Sequence, residues 1–163
     1  MRKIVSLIIG VCILCIFSLV LIGCGGAPDC SNPEVKKLTL STCVSLIKTQ
    51  AVAAGLLDHG FYDDASKISN ANVDDYIERI RNCKDYRCKE IAKDIDESEQ
   101  EGLFKLENYE LSTITCESKD DKIKKSKCSA VLKFIPENIL WNVDYSAYNT
   151  KEGLVVSVKI RMQ

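Results

Sequence analysis

The chain has 163 residues, with 22 Lys and Arg against 23 Asp and Glu, a formal net charge of −1 and 46% hydrophobic residues. That balance offers no basic excess for nucleic acid, and the length suits one domain of ordinary size. Nine cysteines stand against a single histidine, His59, so sulfur chemistry outweighs imidazole chemistry.

In chain order, Met1-Arg2-Lys3 opens a segment with no charged residue from Ile4 to Ile22. About 20 apolar residues are enough to cross a bilayer. The positive flank puts the N-terminal side in the cytoplasm, and a charged start before an apolar run is also the layout of a cleaved secretory signal. The run ends in Leu21-Ile22-Gly23-Cys24. These four residues resemble the lipobox of bacterial lipoproteins, with Ile22 in a place more often held by Ala or Ser. The resemblance implies that Cys24 receives a diacylglyceryl group and that the chain is cut before it. Small Gly23 lets the peptidase approach, and the new amine is a further site for palmitate or a similar acyl chain. Each buried methylene adds about 0.8 kcal/mol of membrane affinity, so two or three chains anchor stably. Gly25 rather than Asp after the cysteine favours the outer membrane in a Gram-negative host. Cys12 and Cys15, inside the apolar run, read as small hydrophobes.

The expected organisation is a signal over 1–23, a lipidated cysteine and stem over 24–32, and a single domain over 33–163. Without the signal, 20 basic residues face 23 acidic ones. Six cysteines remain after Cys24: Cys30, Cys43, Cys83, Cys88, Cys116 and Cys128. An even count outside the cytoplasm reads as up to three disulfides. Cys30 and Cys43 lie too far apart along a helix to pair. Cys83 and Cys88 would sit about 140° apart around one continuous helix, so either the helix breaks at Lys84-Asp85-Tyr86 or each reaches elsewhere. Cys116 and Cys128 flank a polar hairpin tip, and this is the pair the spacing favours. No C-x-x-C occurs, which argues against zinc and against a thioredoxin-like redox pair.

Ser31 or Asn32 as cap, followed by Pro33-Glu34, predicts a helix start, and apolar residues from Val35 to Leu57 carry it to Asp58, over more than one narrow stripe. Residues 61–72 read as a loop with a turn of helix near 63–68. A second helix is predicted from Asn72 or Asp74, closed by Gly102. The period then changes. Leu103 to Cys116 reads as one or two strands, 117–127 as a charged tip, and 128–135 as a strand. Runs 139–148 and 154–162 alternate as half-buried antiparallel strands. The predicted fold is α+β, with two helices on one face of a four-stranded meander. That layout is similar to cystatin-like and NTF2-like folds. The body also resembles small bacterial lipoproteins with a Cys-then-helix segment and a Lys-Cys-Ser-Ala strand, a likeness that supplies no catalytic residue.

His59 follows Asp58 at a helix end, where a cation suits the dipole. Asp63-Asp64, Asp74-Asp75 and Asp94 to Glu97 read as helix starts and solvated faces, without calcium-loop spacing. Tyr109, Trp141, Tyr145, Phe104 and Phe134 read as core. The five lysines of 119–127 suit anionic lipid, glycan or simple solubility. The expected function is a lipid-anchored, extracytoplasmic, non-catalytic binding or interaction module, with no cofactor, metal or nucleic acid and with the membrane as a partner. An inhibitor or exclusion variant would insert the 117–127 tip into a partner's cleft. The alternative is a small periplasmic enzyme with a carboxylate- and tyrosine-lined site.

Overall fold

A computed structural model describes residues 26–161. The signal over 1–23, Cys12, Cys15 and the lipidation position Cys24 lie outside the described residues.

Helix α1, Pro33–Asp58, starts where Asn32 accepts the Glu34 N–H at 2.8 Å, with Pro33 in the first turn. It ends in a Schellman arrangement. Gly60 adopts φ +81°, its N–H bonds Leu57 O, and Phe61 N–H bonds Leu56 O. His59 occupies the C-cap position. By length and composition α1 is apolar enough to cross a bilayer. Here its two halves serve two different cores. Val35, Cys43, Val44 and Ile47 pack on the sheet, whereas Val52 and Leu56 pack on the remaining helices.

Helix α2 (Tyr62–Lys67) is short and buries no residue. Asn72 then turns its side chain backwards. It accepts from Ser69 N–H at 2.7 Å and donates to Lys67 O at 3.1 Å, so the loop is held by a residue expected to cap a helix. The expected second helix is two helices, α3 (Val73–Asn82) and α4 (Tyr86–Gln100). The chain becomes extended at Cys83 (ψ 140°), and Asp85 caps α4 by accepting the Arg87 N–H at 3.0 Å. The break brings the Cys83 and Cys88 Cα atoms to 5.9 Å, within bonding reach. Val73, Tyr76, Ile77, Ile80, Ile91 and Ile95 fill the second core together with Val52 and Leu56 of α1. The expectation of two helices on the sheet is therefore corrected to four helices, with α3 and α4 sharing a core with the far half of α1.

Gly102 ends α4 in the same way as Gly60 ends α1, with φ +80°. The stretch expected to begin a strand at Leu103 forms a turn and a 3-10 turn over Leu106–Asn108 first. Four strands follow: β1 (Tyr109–Asp120), β2 (Lys125–Phe134), β3 (Ile139–Thr150) and β4 (Gly153–Arg161). They form an antiparallel meander in sequence order. The α+β class stands. The charged tip is shorter than expected, because β1 and β2 extend to Asp120 and from Lys125. Register shifts flank Thr113 (φ 49°) and Cys116, so β1 carries a bulge at the sheet edge.

One sheet face is apolar, as the period of two demands. Leu111, Cys128, Ala130, Leu132, Phe134, Val143, Tyr145 and Ala147 are buried there. Tyr109 packs on Phe134 at 5.1 Å between ring centroids, and its hydroxyl donates to Leu103 O at 2.7 Å. Leu132 and Ile91 are fully buried, one in each core. Cutting either to alanine costs about 2–5 kcal/mol.

Candidate membrane-proximal interface

Residues 26–32 were expected to be a stem, and the structure straps them to the sheet. Ala27 N–H donates to Asp121 Oδ1 at 2.9 Å, and Asn149 Nδ2 donates to Gly26 O at 3.3 Å. The buried Ser126 hydroxyl donates to Pro28 O, and the Tyr145 hydroxyl donates to Cys30 O at 2.8 Å. A Cβ on Gly26 would stand 2.8 Å from Asp121 Oδ1, so only glycine permits this approach without a shift. The Asp29 carboxyl is held below the usual carboxylate range by the N–H and hydroxyl of Ser31, each at 2.9 Å.

The strap is closed covalently. Cys30 pairs with Cys128, 98 residues away, with Cα atoms 5.9 Å apart. The favoured pair, Cys116 with Cys128, is therefore corrected. These two residues do face each other in the β1–β2 register, but Cys128 turns into the core, where Cys30 meets it, and Cys116 stays exposed beside a register shift. Cys83 pairs with Cys88, and Cys43 is a buried thiol. Burial pushes the Cys43 thiol up to about 12.

The β1–β2 tip lies against this strap. Its turn is set by Asp120, whose Oδ1 accepts the N–H groups of Lys122 (2.9 Å) and Ile123 (3.2 Å). Both tip aspartates thus face backbone N–H groups. Lys119, Lys122 and Lys124 are exposed, Lys125 lies 5.8 Å from the centre of the Tyr148 ring, and Ile123 is 64% exposed. None of the ion pairs among the described residues involves these four lysines. Asn149 N–H bonds Lys124 O at 3.2 Å, which ties the end of β3 to the same tip.

The other candidate residues are dispersed. Asp96 and Glu99 border an open groove with Lys48, Gln100, Phe104 and Lys105, and both accept from Arg81, at 2.6 and 3.0 Å. Asp74 pairs with Lys48, and Asp63 and Asp64 lie in the first turn of α2. A pocket of about 170 Å³ beside Cys83 and Cys88 is lined by Leu56, Phe61, Asp64, Tyr76 and Ile80, with Arg79 over the Tyr76 ring at 3.9 Å, so one candidate carboxylate and one tyrosine do share a pocket. Tyr109, Phe134, Trp141 and Tyr145 belong to the sheet core and Phe104 packs on the helical one. Among the described residues no three His, Cys, Asp or Glu side chains gather so as to hold a metal.

Sequence reasoning singled out Cys30, Cys128 and the lysine tip, and missed Asp121, Ser126, Tyr145 and Asn149 as the residues that receive the strap. Their bonds go to backbone groups more than 90 residues away, and no local pattern announces such a partner. No family model matches the chain, and neither curated proteins nor solved structures yielded a match.

Proposed function

We propose that the protein is a lipid-anchored extracytoplasmic lipoprotein whose domain is a non-catalytic binding or interaction module. The observation that carries this reading is Leu21-Ile22-Gly23-Cys24 at the end of an uncharged apolar run, with one residue between it and a strap bonded to the folded domain. Two cysteine pairs at bonding distance support an oxidising compartment. One long helix on a four-stranded meander is what supports a cystatin-like or NTF2-like layout. Asp74, Asp96 and Glu99 are engaged in ion pairs and Asp85 caps a helix, which favours binding over catalysis, whereas Asp64 beside Tyr76 is what supports the alternative of an enzyme. An inhibitor or exclusion role for the 117–127 tip is the specific variant of this reading.

The test is made on the full chain expressed in a bacterial host fed an acyl-chain analogue of palmitate. Parent protein takes up the label, and its intact mass shows diacylglyceryl on residue 24. Cys24→Ser loses the label and accumulates as uncut precursor. A mature N-terminus elsewhere, with no lipid mass on residue 24, overturns the reading.

A further inference from the structure

We propose that the β1–β2 tip is a second membrane contact, docking on anionic headgroups of the bilayer that holds the anchor. The inference rests on the lipid-anchor reading of Cys24.

Distance carries the argument. One residue separates Cys24 from Gly26, and two Cα steps of 3.8 Å keep those Cα atoms within about 8 Å of each other. Gly26 and Ala27 are held by Asn149 and Asp121, and Asn149 is bonded in turn to Lys124. A free stem over 25–32 would have a root-mean-square reach of about 16 Å, roughly two Debye lengths at physiological salt. The strap removes that slack. It ties the tip, through Asp121 and Asn149, to residues two and three Cα steps from Cys24, on the side of the domain where headgroup charge would act on lysine.

The chemistry of the tip matches such a surface. Lys119, Lys122, Lys124 and Lys125 have no ion-pair partner among the described residues. The nearby carboxylates bond backbone or hydroxyl groups, Asp121 to Ala27, Asp120 in its own turn and Asp29 to Ser31, and of the tip lysines only Lys119 lies near enough to Asp29 to help lower its pKa. Glu117 shares the open sheet face with Lys127 and Arg161. At the apex Ile123 is exposed between Lys122 and Lys124, an apolar group flanked by cations, which suits the headgroup boundary. The opposite end of the sheet lies about 30 Å away, since β2 spans ten residues at roughly 3.3 Å each.

The experiment uses the processed full chain in vesicles of phosphatidylcholine, alone or mixed equally with phosphatidylglycerol, after intact mass has established whether residue 24 carries lipid. Ile123→Trp and Leu140→Trp are each compared with the parent for quenching by brominated lipid. Ile123→Trp is expected to be quenched in the anionic vesicles and much less in phosphatidylcholine, while Leu140→Trp, at the far end, stays unquenched. Adding Lys122→Glu, Lys124→Glu and Lys125→Glu is expected to abolish the quenching at residue 123 without loss of lipid. Lipid on Cys24 with Ile123→Trp no more quenched than Leu140→Trp overturns the inference alone, as does quenching that ignores both lipid charge and the lysines. A mass without lipid on Cys24 overturns the anchor reading and this inference with it.

Discussion

The Ala27 N–H donates to Asp121 Oδ1 at 2.9 Å across 94 residues of sequence. With Gly26 fitted against the same carboxylate, this contact joins the start of the domain to the β1–β2 tip. Asp121→Ala removes the acceptor and should cost about 1 kcal/mol, the net worth of one hydrogen bond. Hydrogen–deuterium exchange should show faster exchange at the Ala27 amide and unchanged protection at Leu132. Unchanged exchange at Ala27 would show that the strap does not depend on this bond.

The Cys30–Cys128 bond closes a 98-residue separation. On the chain-entropy argument a loop of that size is worth about 4–5 kcal/mol, against about 2 kcal/mol for a loop as short as that of Cys83–Cys88. Denaturant unfolding of Cys30→Ser should therefore show a much larger loss than that of Cys83→Ser. Equal losses would contradict the pairing.

Cys116 is exposed and Cys43 is buried. Iodoacetamide on the native protein should label Cys116 readily and Cys43 only after unfolding, as read by peptide mass. Two labelled thiols without denaturant would mean that α1 does not cover Cys43.

The same burial makes stability depend on alkaline pH. Cys43 holds its proton in the folded state up to about 12, against 9.0 when free, and burial pushes Tyr109 and Tyr145 from 10.0 up to about 12. For each group the folded state binds the proton more tightly. The stability is therefore fully present below the free value and is lost as pH rises towards the folded value. Denaturation midpoints should fall above pH 9, and more steeply above pH 10. Cys43→Ala should remove the loss between 9 and 10, although it lowers stability at neutral pH. An unaltered pH profile in that variant would refute the assignment.

Gly102 has φ +80°, and a Cβ there would lie 2.1 Å from Asn108 Nδ2, whose amide donates to Gly102 O at 2.9 Å. Gly102→Ala should cost about 2 kcal/mol or more from the left-handed backbone and the collision together. Thermal unfolding is the measure. Gly153→Ala, at φ +130° with open space around its Cβ position, separates backbone strain from collision.

Much of the outline was legible in residue order. Ser31 or Asn32 before Pro33-Glu34 marked the start of α1, with the structure choosing Asn32 as the cap, and Gly60 and Gly102 marked helix ends because a positive φ is cheapest for glycine. The alternation over β3 and β4 announced one buried face, since side chains point to opposite sides of a strand. These signals act within a few residues, so the sequence alone determined them, along with the α+β class. The helix break was legible only as an alternative, because Asp85 capping and a Cys83–Cys88 bond must act together to favour it over a continuous helix. The partner of Cys128, the sharing of α1 between two cores and the strapping of residues 26–32 were decided by tertiary structure. Each depends on groups brought together across 90 or more residues, or on two layers packing against successive halves of one helix. Periodicity states that a residue is buried or that a cysteine wants a partner. Only packing decides against what, because burial is non-directional while a disulfide or hydrogen bond needs one position in space.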